Sequence, residues 1–275
     1  MASLIKLWKL VKSNLLILCL LPGLAFAETS KPGPISATAY LVADADTGEV
    51  LEGKNTNEVR SIASITKVMT ALVTVDAGLD LDEQIPVRLQ KGFSTKLQQG
   101  MILSRGVLMH LALVSSDNLA AKILAQTYPK GEEEFIEAMN SKARSIGMSN
   151  TSFTDPTGLY DTNVSTAIDL VKLVNYADKY PILRSYSTTA TEIPVTTKKK
   201  VNSIPFRSTN NLVEKYKDIV FTKTGWIRKA GGCLVMMIEN QTSKRVIVIL
   251  NSRNTRTRIS EGLLLHGMYN NGKSI

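Results

Sequence analysis

The chain has 275 residues, 44% of them hydrophobic, which is enough for one large domain or two small ones with a substantial core. Its formal net charge is +9. A moderate basic excess suits an anionic polymer such as cell wall or nucleic acid, although it is also common on ordinary surfaces. No dense stripe of lysine and arginine with interleaved aromatic residues is present, which argues against a nucleic-acid-binding protein.

The first 27 residues have the layout of a secretory signal peptide. Three lysines precede an apolar run at residues 15–21, and small residues follow at Ala25 and Ala27. The run is short for a membrane span, so a retained anchor helix is the less favoured interpretation. Cleavage after Ala27 would export the protein and leave Cys233 as its only cysteine, which excludes an internal disulfide. Cys233 lies in an apolar strand pattern and is interpreted as a small buried hydrophobic residue.

The exported part begins with a linker containing proline and glycine at residues 28–36. Residues 37–44 and 49–52 flank an Asp-Thr-Gly turn and predict a β-hairpin. A buried helix is predicted from the segment around Ser64 up to Gly78, and from about residue 79 to 180 the pattern is mainly helical. Residues 153–158 predict a loop within this block, and Thr166 or Ser165 is suited to capping the helix that follows it.

Beyond Tyr186 the pattern changes to strands, the clearest at residues 219–222, 232–238 and 245–250. An amphipathic helix is predicted at roughly 255–269, before a short tail at 271–275. We therefore expect the first hairpin, the last strands and the last helix to form one domain over residues 37–270, with the helical block inserted between them. Pockets tend to form at such a seam.

Ser64 and Lys67 lie three residues apart at the predicted start of the buried helix. On a helix this spacing puts both side chains on one face. A serine hydroxyl becomes a good nucleophile only when a neighbouring base takes its proton. A lysine amine serves as that base only if burial or nearby positive charge lowers its pKa. The Ser-x-x-Lys pattern alone is common by chance, so it needs further support.

Two more segments give that support. Ser116 and Asn118 flank Asp117 in a predicted loop between helices, which would direct a hydroxyl and a carboxamide into the seam; alone, this pattern is usually a helix cap. Lys223, Thr224 and Gly225 follow an apolar strand, where they would present a cation and a hydroxyl to a carboxylate. A glycine on an edge strand lets a substrate backbone approach closely. Alone, Lys-Thr-Gly is usually an exposed strand end.

The order, separation and context of the three segments fit the serine–lysine acyl-transfer set. On these residues the chain resembles the penicillin-binding protein and serine β-lactamase superfamily, and within it the low-molecular-mass D-alanyl-D-alanine peptidases, over about residues 37–269. Residues 61–67, 221–225 and 251–256 are most similar to the D-alanyl-D-alanine endopeptidase branch, and residues 155–159 with Asn163 belong to the resemblance. It implies an α/β fold with an antiparallel sheet flanked by helices and a mostly helical inserted subdomain.

The resemblance also implies roles for the reacting groups. Ser64 attacks a D-Ala carbonyl and forms an acyl-enzyme, Lys67 accepts the Ser64 proton, and Ser116 passes a proton to the leaving amine. The backbone N–H groups of Ser64 and Trp226 form the oxyanion hole, which is typically worth about 3 kcal/mol of transition-state stabilisation. The Trp226 ring serves either packing or substrate contact.

The remaining implied roles concern substrate binding. Asn118 holds the amide on the acyl side, and Lys223 and Thr224 fix the carboxylate of the leaving residue or of a penicillin, with Gly225 next to them on the strand. For Arg253 and Arg256 a solvated basic strand end is the favoured interpretation, and contact with a carboxylate is the alternative. Residues 198–200, three lysines in a row, are interpreted as an exposed hairpin tip, with contact to anionic wall polymer as the second interpretation.

The sequence lacks the catalytic residues that other types of hydrolase require. His110 and His266 both fall in helical patterns without a suitable serine and aspartate partner, which disfavours a Ser-His-Asp triad. No His-x-x-x-His or Cys/His cluster appears, so we expect no metal and no cofactor. Class A β-lactamases, which resemble the chain in all three segments, use a glutamate for deacylation, and residues 152–166 contain none. Penicillins are therefore expected to acylate Ser64 and leave slowly.

The expected substrates are the stem peptides and cross-links of peptidoglycan, with β-lactams as covalent inhibitors. Many carboxypeptidases of this kind carry a further β-rich domain and a C-terminal amphipathic anchor, for which the sequence after the closing helix leaves no room. We therefore expect a periplasmic enzyme with at most peripheral membrane association, acting as an endopeptidase on D-Ala–meso-diaminopimelyl cross-links. A D-alanyl-D-alanine carboxypeptidase and a catalytically idle wall-binding or β-lactam-sensing module are the alternatives.

Overall fold

The computed structural model describes residues 35–93, 95–197 and 200–270, and their side chains except those of 192–204. Its helices are Thr66–Asp76 (α1), Arg105–Val114 (α2), Asn118–Gln126 (α3), Glu132–Ser145 (α4), Ala167–Ala177 (α5), Pro181–Thr188 (α6) and Thr257–Tyr269 (α7). Its strands are Ala39–Asp44 (β1), Val50–Lys54 (β2), Arg60–Ser61 (β3), Gln84–Pro86 (β4), Ile102–Ser104 (β5), Val164–Ser165 (β6), Thr191–Thr197 (β7), Lys200–Arg207 (β8), Ile219–Ile227 (β9), Gly231–Glu239 (β10) and Lys244–Ser252 (β11). The sequence-based interpretations of the signal peptide, most of the linker, residues 198–199 and the tail at 271–275 lie outside the described residues.

The main sheet has five antiparallel strands in the order β2-β1-β11-β10-β9. The predicted hairpin is the β1–β2 pair, and β1 also pairs with β11 from Ala39 opposite Leu250 to Asp44 opposite Arg245. The two ends of the described chain therefore meet in one sheet. This is the antiparallel sheet that the resemblance implied.

Alternating side chains of β11 show how the sheet separates two apolar layers. Val246, Val248 and Leu250 point to the core that the inserted helices cover, and Ile247 and Ile249 point to the core under α7. All five are fully buried. Burial of each such side chain contributes about 1.5–3 kcal/mol relative to exposure, so the sheet is held from both faces.

The inserted block runs from α1 to α6 between β3 and the long strands. Residues Thr66 to Thr74 of α1 are all buried, because α2, α3, α4 and α5 pack around this helix. The helix is buried on all sides, and its buried polar side chains include Lys67 and Thr70. None of the helices in the described part of the chain has the length and apolarity needed to cross a membrane.

Side-chain caps set where several of these helices begin. Ser104 accepts a hydrogen bond from Val107 N at the start of α2, and Thr166 accepts one from Asp169 N at the start of α5. The Thr166 cap was one of the two predicted from the sequence. Such caps contribute about 1 kcal/mol each and fix the position of the first turn.

Strand β9 forms one edge of the sheet and is longer than predicted. The sequence placed Lys223 at the end of an apolar strand, but β9 continues to Ile227 because β10 pairs with it all the way to Gly231. Lys223 lies opposite Val235, and Trp226 lies opposite Gly232. Residues 223–225 therefore lie within a rigid edge strand and not at its end.

Candidate active site

Ser64 lies in a 3₁₀ turn, Ala63–Ile65, that leads directly into α1. Ala63 has a φ of 46°, in the left-handed region that non-glycine residues rarely adopt. Strain of this kind persists only where the surrounding structure holds it, and it is frequent at active sites. The turn leaves Ser64 partly exposed in front of a fully buried helix.

Lys67 is fully buried and its Nζ lies within hydrogen-bonding distance of three oxygens. These are Ser64 Oγ at 2.9 Å, Asn118 Oδ1 at 2.7 Å and the Thr157 carbonyl at 2.5 Å. An ammonium donates to all three. A neutral amine has two protons for Asn118 and Thr157, which leaves its lone pair for the Ser64 hydroxyl. With a neutral amine, the geometry therefore allows the Ser64 hydroxyl to donate to Lys67 Nζ.

Burial lowers the pKa of Lys67 from 10.5 to about 7, because the charged form is poorly solvated there. The carboxylates of Asp155 and Asp117 act in the opposite direction and favour the ammonium. A lysine with a pKa near neutrality has a large fraction of free amine at physiological pH. This is the property that a general base requires.

The loop at residues 155–159 positions the Thr157 carbonyl. Asp155 Oδ1 accepts hydrogen bonds from Thr157 N and Oγ1, both at 2.6 Å, and from Gly158 N at 2.8 Å. Asn163 donates to Asp155 O and to Thr66 Oγ1, which joins the loop to the first turn of α1. The loop thus acts as a rigid support beneath Lys67.

Gly158 allows a test of how closely the loop at residues 155–159 packs against Ala63. Its φ is 70°, and a Cβ there would lie 1.9 Å from Ala63 O, whereas Gly78 has a φ of 63° and open space around it. Gly78→Ala is expected to cost about 1 kcal/mol through backbone strain alone. Gly158→Ala is expected to cost about 4 kcal/mol, because backbone must also move. Thermal unfolding of both variants measures the difference, and equal losses of stability would contradict the close packing of the loop on Ala63.

Ser116 and Lys223 meet on the other side of the site. Lys223 Nζ donates to Ser116 Oγ at 2.9 Å and to the Thr224 carbonyl at 2.7 Å, and the Thr224 hydroxyl donates to Thr209 Oγ1 at 2.7 Å. Ser116 has a φ of 59°, and Asp117 caps α3 through Ala120 N at 2.9 Å. The cap fixes the bend of the loop, so the two side chains that flank Asp117 contact the two lysines of the site.

Lys223 is almost completely buried, and its pKa lies well below the usual value of lysine. Burial is the main cause, and the positive charges of Lys67 and Arg258 add to it. A carboxylate bound beside Lys223 would favour the ammonium form again, because an opposite charge nearby stabilises it. The strand therefore offers a poorly solvated cation with a strong preference for an anionic partner.

Gly225 closes the third side of the site. A Cβ at this position would lie 2.9 Å from Ser64 N and 3.0 Å from Ile62 O, so only glycine permits this approach of β9 to Ser64. Arg258, at the start of α7, donates to the Gly225 carbonyl from the other direction. Lys67 thus connects the Ser64 turn to the loop of Ser116 and Asn118. Lys223 connects that loop to β9, and Gly225 brings β9 back against the Ser64 turn.

The remaining candidates lie at the margin of the site or outside it. Trp226 is 52% exposed, which leaves its side chain accessible to a substrate. Arg253 and Arg256 are exposed, as expected for a solvated basic strand end. Cys233 is buried, and burial raises the pKa of its thiol to about 11, which makes it a poor nucleophile.

The two histidines are packed side chains, but one of them has a partner that the sequence did not indicate. His110 stacks on Tyr186, and burial lowers its pKa to about 4. His266 Nε2 lies 2.6 Å from Asp218 Oδ2, a pair that the packing of α7 on the sheet brings together across 48 residues. Asp218 precedes β9, five residues before Lys223, and no serine hydroxyl bonds to His266 among the described residues. Those residues also contain no cluster of three or more His, Cys, Asp or Glu suited to a metal ion.

Residue type and periodicity do not predict the contacts of three parts of the site, although the resemblance includes residues 155–159. The Thr157 carbonyl is a backbone atom, the Thr209 hydroxyl lies in an ordinary loop, and Arg258 begins a helix whose apolar residues carry the pattern. The sequence would predict a solvent-exposed side chain for an arginine at the edge of an amphipathic helix, whereas Arg258 is only 7% exposed. Only the folded arrangement identifies them.

Solved structures identify the class to which this fold belongs. The DD-transpeptidase of Streptomyces K15 is similar with a TM-score of 0.77 and 27% identity, covering 84% of this chain and 95% of its own. Penicillin-binding protein D2 of Listeria monocytogenes, in its cefotaxime-bound form, is similar with a TM-score of 0.75 and 28% identity, covering 85% and 98%. The chain therefore has the penicillin-binding-protein fold that the resemblance implied.

The particular family follows from sequence comparison. Residues 26–254 match the family described as D-alanyl-D-alanine carboxypeptidase. A Pseudomonas aeruginosa protein named D-alanyl-D-alanine endopeptidase is 38% identical over 275 residues, which cover 94% of this chain and 88% of that protein. The chain belongs to the D-alanyl-D-alanine carboxypeptidase family and is a serine-type D-Ala-D-Ala peptidase.

Proposed function

We propose that Ser64 attacks the carbonyl of a D-alanine residue in a peptidoglycan peptide and forms an acyl-enzyme, with Lys67 as the base that accepts its proton. The contact between Lys67 Nζ and Ser64 Oγ at 2.9 Å carries this proposal. The lowered pKa of Lys67 supports it, because a neutral amine is available near pH 7. The backbone N–H groups of Ser64 and Trp226 are assigned to the oxyanion of the tetrahedral intermediate.

The leaving group and the bound peptide are assigned to the other segments. Ser116 passes the proton to the leaving amine, Asn118 holds the amide on the acyl side, and Lys223 with Thr224 binds the carboxylate of the leaving residue. The contact between Ser116 and Lys223 supports this assignment, since it holds the Ser116 hydroxyl beside the strand that is proposed to bind the leaving residue. Gly225 supports an extended peptide on the exposed edge of β9.

The base role of Lys67 predicts a pH dependence. Acylation needs the amine, so its rate is expected to rise with pH through about 7 and to fall about tenfold per unit below that value. The depressed pKa sets where the rate levels off: above about pH 7 little further rise is expected, whereas with an unperturbed lysine the rate would still rise steeply at pH 9 and level off only above about pH 10. The second-order rate constant for acylation by a chromogenic cephalosporin, measured from pH 5 to 9, gives this profile. A rate that does not change over that range would contradict the role of Lys67.

We further propose that the physiological reaction is endopeptidase cleavage of D-Ala–meso-diaminopimelyl cross-links. The Pseudomonas relative that matches most of this chain carries an endopeptidase name, which supports the choice. Incubation of the mature protein with cross-linked muropeptide dimers is expected to yield monomers, and Ser64→Ala is expected to leave the dimers intact. Intact dimers together with loss of D-Ala from pentapeptides would instead favour the carboxypeptidase alternative.

The protein is further proposed to form long-lived adducts with penicillin. Residues 152–166, where class A β-lactamases carry the glutamate for deacylation, contain none. A catalytically idle wall-binding or sensing module would also be acylated, and only turnover of wall peptides separates it from an enzyme.

The secretory pattern of residues 1–27 supports export to the periplasm, with peptidoglycan as the partner and membrane contact at most peripheral. Removal of residues 1–27 would leave the linker at 28–36 and the proposed peptidase domain at about residues 37–270.

A further inference from the structure

The segment between β4 and β5 reaches the loop that carries Ser116 and Asn118. Thr95, in this segment, is partly buried, and its Oγ1 lies 2.6 Å from Asp117 Oδ2. Leu97 N donates to the same hydroxyl at 3.0 Å. An ionised carboxylate only accepts, so the proton of the Thr95 hydroxyl points to Asp117. The short distance is typical of a hydrogen bond to a charged oxygen.

The two residues that follow Thr95 attach this segment to the rest of the domain. Leu97 is 4% exposed and belongs to the core that the inserted helices cover. Lys96 Nζ lies 3.3 Å from the Pro205 carbonyl and 5.5 Å from the centre of the Phe206 ring, both on β8. The Thr95 hydroxyl is therefore held against Asp117 by a segment that is itself anchored.

The two oxygens of the Asp117 carboxylate have different partners. Oδ1 accepts from Ala120 N at 2.9 Å and caps α3, whereas Oδ2 accepts from Thr95. Asp117 is 7% exposed, so solvent has little access to replace a lost partner. A charged oxygen that loses its hydrogen bond in such a place is strongly unfavourable. Without the Thr95 hydroxyl, we therefore expect the Asp117 side chain to shift.

A shift of Asp117 would displace the residues on either side of it. Ser116 Oγ lies 2.9 Å from Lys223 Nζ, and Asn118 Oδ1 lies 2.7 Å from Lys67 Nζ. Ser116 has a φ of 59°, a conformation that persists only where the surrounding structure holds it. Acyl transfer is sensitive to such changes, because a displacement of about 1 Å can cost about 100-fold in rate.

We propose that Thr95 is a positioning residue for acyl transfer: its hydroxyl fixes the Asp117 carboxylate and, through it, Ser116 and Asn118. The hydrogen-bond partners of this hydroxyl are Asp117 and Leu97, so Thr95 acts through Asp117 and not on a reacting atom. The inference rests on the proposed function for the roles of Ser116 and Asn118.

Replacement of the hydroxyl by a methyl group tests the proposal. Thr95→Val is expected to lower the second-order rate constant for acylation by a chromogenic cephalosporin at pH 8 about tenfold, the lower value for a hydrogen bond to a charged group. Thr95→Ser keeps the hydroxyl and is expected to remain within about twofold of the wild type. A wild-type rate in Thr95→Val, or equal losses in both variants, would overturn the proposal.

Thr47 provides a matched control. Its Oγ1 donates to Asp44 Oδ1 at 3.1 Å in the exposed turn between β1 and β2, so Thr47→Val removes a similar hydrogen bond elsewhere. Lys96→Ala removes the contact of the segment to β8 and leaves the Thr95 hydroxyl in place. Both variants are expected to acylate at the wild-type rate. A loss in Lys96→Ala equal to that in Thr95→Val would show that general attachment of the segment matters, and not the contact to Asp117.

A double-mutant cycle shows whether Thr95 acts through Asp117. Serine is a good helix cap, so Asp117→Ser keeps the cap of α3 but removes the oxygen that accepts from Thr95. In this background Thr95→Val is expected to cause no further loss, because the two changes remove one interaction. A further tenfold loss would show that Thr95 supports the site independently of Asp117, contrary to the proposal.

Failure of this inference and failure of the proposed function give different results. If the wild type is acylated on Ser64 and Thr95→Val is acylated equally fast, the positioning role is wrong and the function stands. If the wild type is not acylated at all, both are wrong. Thermal unfolding of each variant confirms that it is folded, and Thr95→Ala replaces the valine variant if that protein does not fold.

Discussion

Lys67→Ala is expected to slow acylation of Ser64 by penicillin about 10³- to 10⁴-fold, near the upper end of the contribution of a positioned general base. The loss is expected in the acylation step, because the Ser64 hydroxyl then has no acceptor for its proton. The Asn118 amide oxygen and the Thr157 carbonyl also lose their donor. Stopped-flow measurement of the acylation rate constant at pH 8 tests this expectation.

The Lys67→Arg variant distinguishes the role of Lys67 as a proton acceptor from its role as a positive charge. Arginine retains the positive charge and can donate to Asn118 and Thr157, but its pKa is above 12, so it cannot accept the proton of Ser64. We expect this variant to be as slow as Lys67→Ala. If Lys67→Arg is folded, as judged by thermal unfolding, and acylates within tenfold of the wild type, Lys67 is not the base.

Lys223→Ala is expected to reduce kcat/KM for carboxylate-bearing substrates about 100-fold, the upper value for a hydrogen bond to a charged group. The reason is the near-complete burial of Lys223, which leaves a bound carboxylate poorly solvated once the ammonium is removed. Lys217, which lies before β9 and is exposed, provides a matched control, and Lys217→Ala is expected to have no such effect.

A substrate whose leaving residue ends in a carboxamide completes this test. With it, the wild type and Lys223→Ala are expected to differ by much less than 100-fold, because the ionic contact is absent in both. Steady-state kinetics with the two substrates and the two proteins give the coupling between Lys223 and the carboxylate. Equal losses with acid and amide substrates would show that Lys223 supports the fold of the site and not the carboxylate.

The meeting of the three segments could be predicted because each combines a residue pattern with a structural position. Ser64 with Lys67 lies at the start of a buried helix, Ser116 with Asn118 lies where one helix ends and the next begins, and Lys223 lies in an apolar strand. The predicted hairpin and strands also pair as expected, since alternating hydrophobicity with clear turns determines the sheet. These features depend on side-chain type and local order, which a single sequence carries.

The remaining features depend on contacts that no local pattern encodes. The extension of β9 to Ile227 results from its pairing with β10, and Asp155 acts by orienting a backbone carbonyl toward Lys67. The His266–Asp218 pair exists because α7 packs on the sheet. In each case the partner is a backbone atom or a distant side chain, so the contact follows only from the tertiary fold.

The central claim is that Ser64, activated by Lys67, forms a covalent acyl-enzyme. The most direct measurement is intact-protein mass spectrometry of the mature chain after brief exposure to benzylpenicillin, followed by peptide mapping. We predict a single adduct with the mass of one whole penicillin, located on the peptide that contains Ser64 and absent from Ser64→Ala. An adduct on another residue, or an undiminished adduct in Ser64→Ala, would contradict it.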